Sequence, residues 1–472
     1  MNSDRLSTPF PLYNFFMPDL KALVQALPGR KALPVGWFLV GGAVRDALLG
    51  RPVKDWDVVV PGKAERVAKR VSASLGKSPV VPLDEGVTRV ITRDGWVDLV
   101  TRQGKNMGED LARRDFTINA MAVSPRGKLV DPTGGLTDLE SRLLRAISRE
   151  NLRDDPLRCL RAFRFVSELG FSIDPRTLSW IKKEAPGLEK VAPERVWFEL
   201  RLLLLGQHVS EALRDAWEAN VLAVILPELL ESDSNWGGNN LLRHSMDTAA
   251  VAGGVLWNMG ITPFVHYKKH LAILEDPSMR ALFVLAALLH DIGKPKTYQE
   301  EGGEVHFYGH DTLGARMAKK IAKRLRMSGE ETDALVLLVA NHMHPHFLGQ
   351  GEGPTRRAMN RFLRRAGEWT FPIVVLAYAD ALSSYLSHQG VVSHLILAKS
   401  LHDFIEDMEK EKKKEPRLIT GNDLISMGLK PGPLFREILD EIDDLRAEKK
   451  IRTRKAALAA VKAILKEKGN PS

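Results

Sequence analysis

Gly41-Gly42-Ala43-Val44-Arg45-Asp46, followed nine residues on by Asp55-Trp56-Asp57, is the stretch that decides the fold. An apolar run, Trp37 to Val40, precedes it and reads as a buried strand. Val58-Val59-Val60 follows and reads as another, with a short helical segment, Val44 to Leu49, between them. Two glycines let the backbone approach a bound group with no Cβ in the way, and a helix starting there points unpaired N–H groups at an anion. Gly41, Gly42 and the guanidinium fork of Arg45 are therefore candidate nucleotide-phosphate contacts. Asp55 and Asp57 lie two apart at the mouth of a strand, so both carboxylates share one face. An isolated Asp-x-Asp pair is usually a solvated strand end. Next to a phosphate cradle it has the chemistry of hard oxygen ligands that hold Mg²⁺ against a nucleoside triphosphate.

Working outward, strand-like runs Val87 to Thr92, Trp96 to Thr101 and Met121 to Ser124 alternate with one clear helix, Ala64 to Leu75, so the chain from Gly36 to about Val130 is a small α/β domain. Asp98 puts an acid into an otherwise apolar strand. On a strand beside Asp55 and Asp57 it becomes the third carboxylate of a site for two ions roughly 4 Å apart. Arg113-Arg114-Asp115-Phe116-Thr117-Ile118-Asn119-Ala120 is a charged cluster entering an apolar segment, and Asp131-Pro132-Thr133-Gly134-Gly135 is a turn by composition. Ahead of the first strand, a helical pattern runs from Asp19 to Leu27.

The 472 residues, 44% hydrophobic, suffice for about three domains at roughly 150 residues each. Met1 to Pro9 lack the charged and apolar regions of a signal peptide, and no run of about 18 apolar residues occurs, so a soluble, cytoplasmic protein with no membrane partner is expected. The lone Cys159 excludes an internal disulfide, and its apolar helical surroundings mark it as core. A net charge of +9 and a pI near 9.4 favour a polyanionic partner. Oligomeric state is not encoded in any pattern found.

In this order and spacing, Gly-Gly-x-Val-Arg-Asp, Asp-x-Asp, Arg-Arg-Asp-Phe-Thr-Ile-Asn-Ala and Asp-Pro-x-Gly-Gly closely resemble the class II tRNA nucleotidyltransferases and the related bacterial poly(A) polymerases. The resemblance implies an α+β chain. Residues 1–34 would be an N-terminal extension, 35–147 a small nucleotidyltransferase α/β head and 148–235 an all-helical neck and body for RNA and base selection. Residues 236–400 would form a helical HD phosphohydrolase-like domain, and 401–472 a helical C-terminal segment. Asp55, Asp57 and Asp98 would be catalytic, with Mg²⁺ held on Asp55 and Asp57. Gly41, Gly42 and Arg45 would bind the triphosphate, and Arg113, Arg114, Asp115 and Asn119 the sugar and phosphates.

After a Leu-rich helix, the segment Asp154 to Phe165 has apolar residues at 157, 160, 163 and 165 and arginines at 158, 161 and 164. Arg158, Arg161 and Arg164 form one basic stripe, which in isolation would be a solvated helix face. Behind an acid and beside a triphosphate site it fits phosphate and base binding better. Asp155 and Arg158, at i and i+3, present an acceptor and a donor that complement cytosine and adenine but not guanine or uracil. CTP and ATP would be selected without a nucleic-acid template. In the family resembled, this acid-x-x-Arg pair is the amino-acid template; Asp154 stands where many members have Glu. Ala192 to Leu205 reads as a packing helix.

Nine of the 13 histidines fall between 244 and 346. His244 in an early helix, adjacent His290-Asp291 at the end of an apolar helix (Arg280 to Leu289) and a distant Asp380 make the pattern of the HD phosphohydrolase superfamily, helical bundles around one or two divalent metals. Imidazole and carboxylate suit Mg, Mn, Ni or Fe. His310 and His342 are further ligands or phosphate contacts; His306, His344 and His346 are neighbours. His208, His388, His394 and His402 read as satisfied core histidines. Lys294 is a phosphate contact or a surface lysine. A metal here would hydrolyse a phosphoester, and the resemblance implies 2',3'-cyclic or 2'-phosphates. The charged run from Met408 to Arg417 is a solvated helix end or linker. The basic patch Lys449 to Lys455 is more readily an exposed face than a tRNA contact.

The leading reading is an enzyme that adds nucleotides from CTP and ATP to the 3' end of tRNA. A poly(A) polymerase is the alternative within the class. An RNA-end phosphohydrolase with an RNA-binding head is the alternative outside it. Only 14 residues, Leu99 to Ala112, separate Asp98 from Arg113, where full CCA-adding members carry a longer flexible loop. That shortness resembles the CC-adding subgroup and favours CC over CCA addition.

Overall fold

The computed structural model describes residues 18–84, 86–236, 239–258, 262–348, 353–384, 388–414 and 418–467. Residues 1–17 of the N-terminal extension, 415–417 of the charged run and the side chain of His388 lie outside the described residues. The chain divides into two compact units: residues through Val191 with Asp215–Val224, and Ala192–Arg214 with Ile225 onward.

The first unit is built on a seven-stranded sheet in the order β3-β4-β5-β2-β1-β6-β7. Its strands are β1 Phe38–Val40, β2 Asp55–Val60, β3 Val80–Asp84, β4 Val87–Ile91, β5 Trp96–Thr101, β6 Ala122–Val123 and β7 Leu129–Val130. The helices inserted among them are α1 Gly42–Leu48, α2 Ala64–Ser74 and α3 Met107–Ala112. Among the described residues of this sheet, β2 and β5 alone pair in parallel. That pairing carries β2 back to Asp55, three residues before the apolar run, because β5 supplies hydrogen-bond partners along its whole length. Val40, Val59, Met107, Leu111, Ala120 and Ala122 pack as one core cluster under the sheet.

Two elements are not evident from hydrophobic patterning. Strand β3 carries Pro82 and lies at the sheet edge, where a missing N–H is tolerated. Strand β5 and helix α3 together occupy most of the segment expected as a loop: β5 runs on to Thr101 and α3 starts at Met107, which leaves 102–106 as the connection. This connection is pinned. Asp110 accepts the Gln103 N–H at 2.8 Å, Glu109 accepts the Lys105 N–H at 2.9 Å, and Asn106 caps α3.

Beyond the sheet, no single Leu-rich helix precedes Asp154. Leu143–Leu144 instead pairs with Ser172–Ile173, and helix α4, Arg149–Asp154, comes next. Nor is Asp154 to Phe165 one helix. Pro156 disfavours helical backbone at the residue before it, so Asp155 takes φ −137° and ψ 90° and separates α4 from α5, Leu157–Leu169. Cys159 is fully buried in α5, as expected of core.

The second unit is a helical bundle. Its site-bearing helices are α6 Leu241–Trp257, α7 Pro277–Leu289, α8 His310–Arg324, α9 Gly329–Asn341 and α10 Thr370–Ser383. Helix α7 is buried continuously from Ala281 to Leu289, which explains its unbroken apolar sequence. A short hairpin, Gln299–Glu301 with Glu304–His306, interrupts the helices just before α8. The C-terminal helices Gly421–Ser426, Pro433–Ala447 and Arg454–Glu467 share a core containing Leu424, Ile438, Ile442, Val461 and Leu465. In the basic patch, Lys449 pairs with Asp407, Lys450 with Glu448 and Arg454 with Asp423, so these cations serve local pairing. Among the described residues no helix is long and apolar enough to cross a membrane.

Candidate active sites

In the first unit, Val40 at the end of β1 pairs with Asp57, and Asp57 pairs with Asp98 across the parallel β2–β5 ladder. Residues in register on neighbouring strands project to one side of a sheet, so Asp57 and Asp98 are side by side and Asp55 shares their face. Gly41 turns the chain beside them at φ +66°. A Cβ there would lie 3.0 Å from both Asp57 Oδ2 and Arg114 Nη1, so conformation and space both require glycine. Burial pushes the Asp57 carboxyl up to about 6; Arg114 opposes this and repulsion from Asp98 and Asp55 adds to it. Burial likewise raises Asp55. Carboxylates crowded beyond their compensating positive charge are a donor set that fits a hard divalent cation.

Asp98 enters this group held by another residue. Arg89 Nε and Nη2 each donate to one of its oxygens at 2.7 Å. Sequence reasoning missed Arg89, although the signal was present: it stands directly opposite Asp98 in the β4–β5 register, a basic residue facing an acidic one on two apolar strands.

Arg45, expected on the triphosphate, is turned inward and only 5% exposed. Its Nε donates to Asp46 at 2.9 Å, its Nη1 to Asn119 Oδ1 at 2.9 Å, and its guanidinium lies over the Phe165 ring. Asn119 Nδ2 donates in turn to Asp115 Oδ1 at 3.1 Å, and Asp115 Oδ2 lies 3.4 Å from Arg161 Nη1. Burial alone would raise Asp115, yet Arg161 and the Asn119 hydrogen bond leave it below the usual carboxylate range. A polar relay thus joins α1, the Arg-Arg-Asp motif and α5. Arg114 Nε is buried with no hydrogen-bond partner, while Arg113 is exposed at the end of α3 and is not drawn in.

On the base-reading segment, Asp155 Oδ2 and Arg158 Nε are 4.0 Å apart, and Arg158 Nη1 donates to the Asn151 carbonyl at 3.0 Å. Asp155 thus reaches Arg158 from the break between helices, not from a shared helix face. Arg164 lies 3.7 Å from Glu168, which also takes Arg51 at 3.1 Å. Asn151 donates to the carbonyls of Ala112 and Arg114 at 2.8 and 2.7 Å, tying α4 to the Arg-Arg-Asp motif. Neither Glu168 nor Asn151 carries a motif that would have singled it out.

The second unit gathers six expected ligands. His244 comes from the first turn of α6, His290 and Asp291 from the end of α7, His310 from the start of α8, His342 from the end of α9 and Asp380 from α10. His290, His310 and His342 each place Nδ1 2.7–2.8 Å from the carbonyl three residues back. Such a bond needs the proton on Nδ1 and leaves Nε2 a bare lone pair. The Nε2 atoms nevertheless face one another, His310 and His342 at 3.2 Å and His244 and His290 at 3.3 Å. Opposed nitrogens at this distance share either a proton or a metal cation, and with carboxylates beside them they are an arrangement that a cation fits.

The ligands fall into two groups, His244 with His290 and Asp380, and Asp291 with His310 and His342. Asp291 spans both: Oδ2 is 3.3 Å from His290 Nε2, while Oδ1 is 3.5 Å from His310 and 3.6 Å from His342 and lacks a hydrogen-bond partner. This donor set fits two divalent ions of the first transition row. Burial opposes a charge on His290, yet Asp291 and Asp380 push its imidazole up to about 10, showing how strongly the pocket calls for positive charge.

Gly293 packs on the start of α8, where a Cβ would meet the His310 carbonyl at 2.2 Å. Lys294 is ion-paired with Asp291 and is no ordinary surface lysine. Beyond the six, His346 Nε2 lies 3.0 Å from Asp380 Oδ2 and so touches the centre, whereas His344 pairs with Arg365 and His306 stacks on Tyr308. His402 is partnered by His270 at 3.0 Å, and His208 is half-buried with a partner. His394 is buried and packs edge-on against His346, but its Nε2 has no hydrogen-bond partner. It is a core histidine that is not satisfied, and burial, with His346 beside it, pushes it down to about 4.

A glycine turn beside sheet-borne carboxylates, followed by a helix with an acid and a basic stripe, defines a nucleotidyltransferase head, here in one chain with an HD metal centre. The chain is 32% identical to the A-adding tRNA nucleotidyltransferase of Deinococcus radiodurans over 92% of its own length and 96% of that relative, and 32% identical to the CC-adding enzyme of Synechocystis over 93% and 96%. It belongs to the tRNA nucleotidyltransferases, and is an enzyme. Residues 37–145 match the family described as Poly A polymerase head domain, 170–232 the probable RNA and SrmB-binding site of polymerase A, and 241–385 the HD domain. The Multifunctional CCA protein of Legionella pneumophila (strain Paris) is 32% identical over 66% of this chain and 75% of that one. The Bacillus stearothermophilus CCA-adding enzyme in complex with CTP shares the fold, with a TM-score of 0.63 at 21% identity over 96% of this chain and 98% of that one.

Proposed function

We propose that this chain adds C residues from CTP to the 3' end of tRNA in the cytoplasm, and that its helical unit hydrolyses a phosphoester at RNA ends. The observation that carries the first part is the register pairing of Asp57 with Asp98 beside the Gly41 turn, with Asp55 on the same face. The terminal ribose 3'-hydroxyl attacks the α-phosphorus of CTP, a new P–O bond forms, and pyrophosphate leaves in line. Asp55 and Asp57 would hold Mg²⁺, which when bound activates the hydroxyl and neutralises the triphosphate. Arg114, whose Nη1 lies beside the Gly41 turn, would supply a donor to the phosphates. Asp155 accepts from the cytosine N4 amine while Arg158 donates to N3 and O2.

The same pair suits adenine, and both A-adding and CC-adding relatives are 32% identical, so identity does not choose between them. The pinned 102–106 connection supports CC addition, since it leaves no long loop with which to readjust the pocket for a second base. The test is sequencing of products made on tRNA lacking its end with CTP and ATP together. Molecules ending in CC support the reading, and a terminal A on most overturns it. With each nucleotide alone, long A tails from ATP would point to a poly(A) polymerase. Asp57→Asn should lose incorporation entirely.

The second part rests on the opposed Nε2 atoms. Water would add across one P–O bond of a 2',3'-cyclic phosphate and leave a monoester, a freed ribose hydroxyl and a proton. His244, His290, Asp291, His310, His342 and Asp380 would hold the ions that activate this water. Hydrolysis of 2',3'-cyclic AMP by metal-loaded protein, lost on chelation and restored by Mn, Ni, Fe or Mg, tests it.

A further inference from the structure

Helix α8 begins at His310 and then turns a row of cations to solvent. Arg316, Lys319, Lys320 and Lys323 are all exposed, and no ion pair among the described residues engages them. At 100° per residue these four positions fall within about a third of the helix circumference, and at 1.5 Å per residue the row is about 10 Å long. The helix contains a single acid, Asp311, in its first turn. An unneutralised row on one face is what a polyanionic strand requires, whereas scattered surface lysines would be interleaved with acids.

A second feature adjoins it. Tyr308 is 64% exposed and lies parallel to His306, with ring centroids 5.1 Å apart and an interplanar angle of 10°. It is two residues from His310, and the carbonyl of Phe307, the residue before Tyr308, fixes the His310 ring. Phe307 also lies under Lys294, the partner of Asp291. The hairpin of Gln299–Glu301 with Glu304–His306 brings His306 here. An exposed aromatic pair held flat is a stacking platform for a base.

We infer that the Tyr308–His306 stack and the α8 row form a track for a single-stranded RNA end, which delivers the terminal phosphoester to the HD centre and makes it act on RNA strands in preference to free nucleotides. This rests on the hydrolytic reading of that centre and specifies its substrate. The last base stacks on Tyr308, and the upstream phosphates run along Arg316 to Lys323.

The test uses full-length, metal-loaded protein, a short RNA ending in a 2',3'-cyclic phosphate, and the free 2',3'-cyclic mononucleotide. The wild type should hydrolyse the RNA at least about tenfold more efficiently in kcat/KM. Changing Arg316, Lys319, Lys320 and Lys323 together to Gln should remove that preference through KM and flatten its salt dependence, while mononucleotide hydrolysis stays unchanged; each lost phosphate contact removes about 0.7 from the log–log salt slope. Tyr308→Ala should weaken both substrates and Tyr308→Phe neither. If the quadruple variant keeps the RNA preference, the track is overturned. Acetylation of Lys319, Lys320 and Lys323, read by mass spectrometry with and without RNA, separates the two ideas. Protection without hydrolysis keeps the track and sinks the hydrolytic reading. Hydrolysis with all three lysines unprotected does the reverse.

Discussion

The head and the helical unit both gather groups for divalent ions, yet they hold them in opposite ways. Asp55 and Asp57 stand on a strand with no imidazole among them, and burial, with repulsion from Asp98 and Asp55 added, lifts Asp57 to about 6. Such a site is incomplete until a nucleotide brings phosphate oxygens, which suits Mg²⁺, an ion that keeps waters and shares its shell with substrate. In the helical unit, three histidines have their rings fixed by backbone carbonyls before any ion arrives. Such a site would be pre-organised to hold a metal before substrate arrives. The difference separates an ion that travels with substrate from one that resides.

The sharpest way to break this contrast is Asp291→Ala. Removing the carboxylate that spans both ligand groups should empty both, cutting hydrolysis by more than the roughly 100-fold typical of losing an outer partner, while CTP incorporation stays at the wild-type rate. Metal content by mass spectrometry, with both activities on one preparation, checks it. Joint loss would mean the sites are not independent. His346→Ala should act more mildly, since it only steadies Asp380: a 10- to 100-fold weaker metal affinity by competition with a chelator, recovered at saturating metal. In the head, Gly41→Ala forces a Cβ against Asp57 and Arg114 in a left-handed backbone. A strain of about 1–3 kcal/mol should lower transfer roughly tenfold or more and leave the bound metal of the helical unit untouched.

The smallest effect belongs to Cys159, which neither site uses. Burial pushes its thiol up to about 12 from an ordinary 9, with Glu184 and Asp155 adding to the shift. The folded chain keeps a proton that the unfolded chain loses above pH 9, so any stability from this group declines as pH rises from 9 toward 12. At pH 8 the native thiol should resist iodoacetamide for hours and react at once in denaturant.

Which residues gather at the two candidate sites was legible in the sequence wherever chemistry leaves a local mark. The Gly-Gly turn, Asp-x-Asp and adjacent His-Asp are short patterns whose residues stand together without help from distant sequence. Partners contributed by another strand or helix were not. Arg89 is visible only once β4 is set against β5, and Asn151 only once α4 meets the Arg-Arg-Asp motif. The apolar spacing runs on through Pro156, yet the steric effect of that ring on Asp155 is the stronger local rule. The inward turn of Arg45 could not be read at all, because Asn119 and Phe165 come from distant sequence.

Gly293 has a consequence beyond its own turn. The closest approach of His310 to the end of α7 is limited by the side chain at position 293, and there is none. The gap between the two ligand groups is therefore gauged by backbone against backbone, and an added methyl group there would act as a shim. Any chain that keeps every ligand but fills this position should bind one ion well and a second poorly. Counting bound metal in Gly293→Ala against the wild type checks it.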